Sequence, residues 1–272
     1  MDKATGPGLA LALGALLLSV ILEGGSPAAL MNLPAAVLVF GGTIGVSMMS
    51  FPFEAVMGMP KFLPQAFFDK LPNPADTVEV FVKLADKARR EGLLALEQEL
   101  EGLDDFIKKG VMMVVDGSDP SLVREVLEGE IAATEQRHKR GIGLLEAMGG
   151  FAPTMGIIGT VMGLVNVLGH LENPDELGHS IATAFIATLY GVASANVLWL
   201  PLGNKLKNKS AAETWVRELA VEGILSVQAG DNPRVVRQKL EAQLAPGQRG
   251  AATKASGAGE RAGERAAAAA GG

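Results

Sequence analysis

The sequence predicts an all-α membrane protein: four transmembrane helices, a helical cytoplasmic domain between the second and third, and an amphipathic C-terminal helix. Three observations carry this. Of the 272 residues 48% are hydrophobic, and they fall in blocks rather than evenly along the chain. Residues 151–169 and 177–204 contain no Asp, Glu, Lys or Arg, and each is long enough to cross a hydrocarbon core of ~30 Å at ~1.5 Å per helical residue. Between the early and late apolar blocks lies a charged stretch whose apolar residues recur at helical spacing.

In chain order, residues 4–53 read as a transmembrane hairpin, with spans at 4–22 and 28–51 joined by the turn Glu23-Gly24-Gly25-Ser26-Pro27. Glu23 sits at the turn, where its charge is solvated. Residues 54–148 read as the cytoplasmic helical domain, entered through Pro60, Pro64, Pro72 and Pro74. A helix is expected after Asn73-Pro74, with Val78, Phe81, Val82 and Leu84 as its apolar stripe; Gly92 interrupts or tightens it. A second is expected from Leu93 through Leu100, Leu103 and Phe106 to Val115, stopped by Asp116-Gly117-Ser118-Asp119-Pro120. Ser121 or Asp119 caps the next, which carries Leu122, Val126 and Ile131 and leads into the pair of spans at 149–169 and 178–203, together residues 149–204. Residues 205–245 read as C-terminal helices. The first has Trp215, Val216, Leu219 and Ile224 as apolar positions, Gly230-Asp231-Asn232-Pro233 ends it, and Val235, Val236 and Leu240 mark a shorter one. Residues 246–272 are mostly Ala, Gly, Glu and Arg without apolar period, the composition of a disordered tail.

Orientation follows from the basic residues. Lys61, Lys70, Arg137, Lys139, Arg140, Lys205, Lys207 and Lys209 flank the ends facing the large loop and the C-terminal segment, whereas the short connections carry neither Lys nor Arg. By the positive-inside rule the loop and both termini are cytoplasmic.

Composition excludes several kinds of chemistry. Cysteine is absent, which removes disulfides and thiolate metal sites. Net charge is −6 with no basic patch interleaved with aromatics, so nucleic acid is not an expected partner. His138, His170 and His179 lack metal-ligand spacing, and no nucleophile elbow, phosphate loop or paired catalytic carboxylates are present, so neither a metal, a cofactor nor enzymatic activity is expected.

The late spans carry a pattern of their own. Gly156, Thr160, Gly163 and Val167 share one face of the third span, and Gly159 with Gly163 makes a GxxxG. Ala184, Thr188, Gly191 and Ala195 follow each other at steps of four, three and four in the next. Small residues allow close helix approach, and threonine hydroxyls either serve that packing or line a path for an ion. Ion paths in membranes are usually built on an intramembrane Asp, Glu or His. Apart from His179 at the outer end of the second, these two spans offer only hydroxyls and backbone, so an ion-moving protein of this kind takes its ionisable group from another chain.

Several stretches together resemble the A subunit of the flagellar motor stator, the MotA/PomA family: residues 153–164 and 184–191, Trp199-Leu200-Pro201-Leu202, Glu222-Gly223-Ile224, Gly230-Asp231-Asn232-Pro233-Arg234, and the segment Ala88-Arg89-Arg90-Glu91-Gly92-Leu93-Leu94-Ala95-Leu96-Glu97 followed by Val114-Val115-Asp116-Gly117. The resemblance runs from about Gly8 to Leu240. It implies a multi-pass protein of the bacterial inner membrane that forms a homo-pentameric ring around a dimer of a B subunit, whose single span supplies the ion-binding Asp. Small residues on helix faces turned towards that dimer are part of the implication. Ion flux, Na⁺ or H⁺, is converted into torque on the rotor. Pro153 and Pro201 match prolines linked to coupling, although Pro153 in a first helical turn and Pro201 at a helix end would also be structurally ordinary. Arg89, Arg90 and Glu97 match charges that meet the rotor switch protein; a solvated face is the plainer reading. Thr160 and Thr188 match positions where sodium-driven members carry hydroxyls, a lean towards Na⁺. Competing readings are an ExbB/TolQ-like energising subunit, which would have one span before the loop, a non-conducting membrane scaffold, and, remotely, a soluble helical enzyme.

Overall fold

A computed structural model describes residues 4–68, 73–169 and 174–247, without the side chains of 174–176 and 179. Lys70, Pro72, His170, the side chain of His179 and residues 248–272 of the expected tail lie outside the described residues. Every regular element among the described residues is helical. Four helices among them are long and apolar enough to cross a membrane. The chain divides into two compact units, one of Met1–Lys70 with Gln136–Ser210 and one of Leu71–Glu135 with Ala211–Gly272.

In the first unit, α1 (Thr5–Leu22) is followed by a 3₁₀ turn, Pro27–Leu30, and then by α2 (Leu33–Ser50). The second span therefore begins five residues later than the expected 28. The signal was in the sequence: Asn32 Oδ1 accepts from Ala35 N at 3.0 Å, and Pro34 in the first turn gives up an N–H that has no intrahelical partner. Thr43 and Ser47 are fully buried on α2, and each hydroxyl donates to the carbonyl four residues back, at 2.6 and 2.7 Å, so no polar hydrogen is left unpaired in an apolar setting. Two short helices follow, α3 (Phe53–Met57) and α4 (Met59–Phe68). Their Val56 and Ala66 join a core with Leu144, Leu145, Met148, Ala152, Ala195, Trp199 and Leu202, so residues 54–68 pack with the membrane unit. Lys209, one of the flanking basic residues, is buried, with its Nζ donating to Gln65 O at 2.6 Å.

The second unit is built on α5 (Pro74–Glu91), α6 (Asp105–Val115), the start of α7 (Pro120–Gly169), the end of α9 (Leu200–Gln228) and α10 (Pro233–Ala242). Asn73 caps α5 through Ala75 N at 3.2 Å. Val78, Phe81 and Leu84 turn inward and meet Val111, Val123, Leu127, Leu219, Ile224, Val236 and Leu240. Three expectations are corrected here. The helix expected from Leu93 to Val115 is two pieces, a 3₁₀ stretch Leu93–Glu99 and α6, because Gly92 and Gly102 adopt φ of 87° and 83° and break the register. On α7 the buried face is Val123, Leu127 and Ile131 at steps of four, whereas Leu122 is exposed and Val126 only half-buried. In α10 Val236 and Leu240 are buried but Val235 is exposed.

Polar contacts close this unit. Arg237 forks onto Glu79, Nη2 to Oε2 at 2.9 Å and Nη1 to Oε1, which holds the guanidinium above its ordinary pKa. The Arg217 guanidinium lies 5.4 Å from the centre of the Phe106 ring. Of the two capping candidates, Asp119 is the one that acts: Oδ1 accepts from Ser121 N at 2.8 Å and Ser121 Oγ at 2.6 Å, and these bonds lower its carboxyl pKa.

Two expected outcomes follow. A Cβ at Gly223 would run into the Phe81 ring, so Gly223→Ala should overpack this core and cost about 1–3 kcal/mol in chemical denaturation. Because the folded-state pKa of Asp119 is depressed, its contribution is complete above the ordinary carboxylate range and is lost as pH falls through the lowered value. Hydrogen exchange at the first turn of α7 should quicken over that acid range, and Asp119→Asn, which keeps the cap but not the charge, should flatten the dependence.

Candidate functional site

The third and fourth apolar helices, α7 and α8 (Pro174–Ala193), meet backbone to backbone. A Cβ on Gly156 would lie 2.8 Å from Ala187 O and 3.1 Å from Thr188 Cα; one on Gly191 would lie 2.5 Å from Ala152 O and 3.1 Å from Gly156 Cα. Further along, a Cβ on Gly163 would lie 2.6 Å from Ala184 Cβ, and one on Gly159 would lie 2.6 Å from Ala187 Cβ and 2.8 Å from Leu38 Cδ2 of α2. Ala195 is buried in the core with Leu144 and Trp199. The small residues are thus consumed by contact within the chain. This corrects the expectation that they form faces turned to a partner: the faces left open carry large apolar side chains, among them Ile157, Val161, Val165 and Leu168 on α7 and Phe185, Leu189 and Val192 on α8.

At this approach the two threonines come together. Thr160 Oγ1 lies within hydrogen-bond reach of Thr188 Oγ1, of Gly156 O at 3.1 Å and of Ala184 O at 3.1 Å, and Thr188 Oγ1 lies 3.5 Å from Gly156 O. Four oxygens share two hydroxyl protons, so lone pairs remain available to a cation. Both threonines are half-buried. No carboxylate or histidine lies in this cluster, and among the described residues no three His, Cys, Asp or Glu side chains gather in a metal-binding group.

Two features near the site were not singled out in the sequence. Asn32 Nδ2 donates to Thr183 Oγ1 at 2.9 Å, Asn32 N donates to Tyr190 Oη at 3.1 Å, and Tyr190 Oη donates to Leu30 O, tying the start of α2 to α8. The Asn-Leu-Pro capping pattern at 32–34 was the available signal for the helix start, but nothing local announces its bond to Thr183. The second feature is the passage from α8 to α9, a wide π turn over Ser194–Trp199. There Asn196 Nδ2 donates to Val192 O at 2.9 Å, Ser194 Oγ donates to Gly191 O at 3.2 Å, and Trp199 Nε1 is buried with no acceptor among the described residues.

Both prolines differ from their ordinary readings. Pro153 is not in a first turn but deep inside α7, and Pro201 does not end a helix, since α9 runs on to Gln228. Each removes a backbone donor mid-helix. The π turn immediately before Pro201 is where the hydrogen-bond ladder absorbs that loss.

Arg89 and Arg90 lie exposed at the end of α5, and Glu97 lies exposed on the 3₁₀ stretch beyond Gly92, so they do not share one continuous helix face. Arg90 pairs with Asp86 at 2.9 Å. Nearby, Lys87 Nζ bonds Glu99 at 2.7 Å, which raises the lysine pKa.

Four apolar helices, two of them closed around a hydroxyl pair, define a multi-pass helical membrane protein. A sequence profile of the MotA/TolQ/ExbB proton channel family matches residues 98–219. The chain is 41% identical to Motility protein A of Bacillus subtilis (strain 168) over 242 residues, 88% of this chain and 90% of the relative. It is 38% identical to Chemotaxis protein PomA of Vibrio alginolyticus over 249 residues, 92% and 98% of the two. Its fold matches a chain of the flagellar MotAB stator complex from Bacillus subtilis with a TM-score of 0.86 and 40% identity, over 91% of this chain and 98% of that one. This chain belongs to the MotA/TolQ/ExbB proton channel family, among its motility protein A members.

If the glycine approach holds the site, Gly191→Ala should cost about 1–3 kcal/mol and lower the melting temperature of the purified protein. Gly150→Ala, with nothing within 4 Å of its Cβ, serves as the control and should be neutral or slightly stabilising.

Proposed function

We propose that five copies of this chain form a ring around a dimer of a partner membrane protein, and that cations crossing the membrane between ring and partner drive rotation of the ring. Family membership makes the chain a flagellar motor stator subunit. The solved relative's description as a MotAB complex supports a B subunit as partner here. The observation that carries the reading is the oxygen cluster of Thr160, Thr188, Gly156 and Ala184, set in apolar stretches, residues 151–169 and 177–193, that contain no carboxylate. Such a cluster coordinates or passes a cation but has no group that titrates. The charge that binds the ion is therefore supplied from outside, by an acid on the partner's span.

The exposed apolar faces of α7 and α8 fit that arrangement, because they need cover in the assembly from lipid or from other helices. Passage of one charge releases ~2.3 kcal/mol per 100 mV. Pro153, Pro201 and the π turn over Ser194–Trp199 mark the helix segments with weakened ladders. There a change of shape between ion-bound and ion-released states costs least. Arg89, Arg90 and Glu97, all exposed, meet the rotor switch protein and orient it through charge rather than through affinity. The chain sits in the bacterial inner membrane with both termini in the cytoplasm, on the basis of its flanking Lys and Arg. No bond-making chemistry and no cofactor enters this scheme.

Sodium is the ion the cluster favours. Hydroxyl and carbonyl oxygens replace the hydration shell of a hard cation, a service a proton does not require. Flux through the reconstituted complex should depend on sodium, and Thr160→Val or Thr188→Val should raise the half-saturating sodium concentration by ~10-fold, the equivalent of one lost oxygen contact. Flux that persists without sodium and collapses with a protonophore assigns the proton instead. Particle images showing a number of copies other than five would overturn the ring.

A further inference from the structure

We propose that Asn32 positions the oxygen cluster of α7 and α8, and so sets how tightly that cluster holds a cation. The inference rests on the reading of the cluster as part of the cation path. Asn32 stands apart from the cluster, immediately before α2, and reaches α8 at two points. Its Nδ2 donates to Thr183 Oγ1 at 2.9 Å, and its backbone N donates to Tyr190 Oη at 3.1 Å, while Tyr190 Oη donates to Leu30 O. All three residues are half-buried. The direction of the amide is fixed as well. Because Oδ1 accepts from Ala35 N at 3.0 Å as the cap of α2, the NH₂ group is the end turned to Thr183.

The two points are seven residues apart on α8, so they share one helix face with Ala187, which is buried in a cluster with Ala35 and Val39 of α2. Ala184, Thr188 and Gly191 lie ~100° further round the same helix, where they meet α7. One face of α8 is thus pinned to α2 while another offers its oxygens to Thr160. Attachment at two points fixes both the rotation and the height of α8. A rotation of ~15° would carry an oxygen ~4 Å from the helix axis by ~1 Å, enough to break a contact of hydrogen-bond length. The small side chains of Ala35 and Ala187 give little shape to resist such turning, whereas hydrogen bonds are directional. Capping α2 accounts for Oδ1 alone; the two bonds to α8 are additional to it.

Sodium flux through the intact complex in liposomes, measured against sodium concentration, is the test. Thr183→Val removes the acceptor, and Asn32→Ser keeps the cap but is too short to reach Thr183. Each should raise the half-saturating sodium concentration about threefold with maximal flux retained, the effect of one hydrogen bond between membrane helices. Thr183→Ser, which keeps the hydroxyl, should restore the wild-type value. The double variant Asn32→Ser/Thr183→Val should shift it about threefold again and not about ninefold, since both changes break the same bond. A wild-type half-saturation in Thr183→Val, a fall in maximal flux alone, a Thr183→Ser variant as weak as Thr183→Val, or shifts that multiply in the double variant overturns the positioning role. Thr160→Val tells this failure from failure of the underlying reading. A shift in Thr160→Val without one in Thr183→Val removes the positioning role alone, whereas sodium-independent flux, or no shift in Thr160→Val, removes the cluster from the cation path and the proposal with it.

Discussion

The approach of two helix backbones at Gly156 and Gly191 is the constraint on which the membrane half of this protein depends. Neither residue has space for a side chain, and the opposing groups are backbone atoms that do not yield. Lipid supplies no hydrophobic force to bring helices together, so the attraction is dispersion summed over a close contact, together with the hydrogen bonds made within it. The threonine pair is a consequence of that proximity. With any larger residue at either glycine the helices would part, and the two hydroxyls would lose each other and the carbonyls between them.

From this contact follows the division of labour along the same helices. One face of α7 and α8 is consumed by packing, and the opposite faces keep large apolar side chains in the open. A water-soluble protein would bury such faces; a membrane protein presents them to lipid or to other helices. The missing carboxylate takes its place in the same logic. A charged group inside a pair this tightly closed would have no room for compensating partners, whereas hydroxyls satisfy themselves on the helix carbonyls nearby.

The second unit is held by different physics. Its core is a conventional apolar cluster around Phe81, whose burial contributes ~1.5–3 kcal/mol, with Gly223 making room for the ring. Arg89 and Arg90 end a helix there: Gly92 takes a positive φ, and the chain turns into a 3₁₀ stretch that carries Glu97 away from their face.

The sequence by itself determined the four spans, the helical unit between them and the family, because uninterrupted apolar length and helical period are properties a one-dimensional string holds in full. It also marked Gly156, Gly163, Ala184 and Gly191 as packing positions and Thr160 and Thr188 as a pair of interest. Only the tertiary structure decided what those residues touch. It turned the small faces inward onto each other, placed Pro153 and Pro201 inside helices that continue past them, drew residues 54–68 into the membrane unit, and buried Lys209 on Gln65 O. Each of these depends on contacts between residues far apart in the chain, which local spacing does not encode.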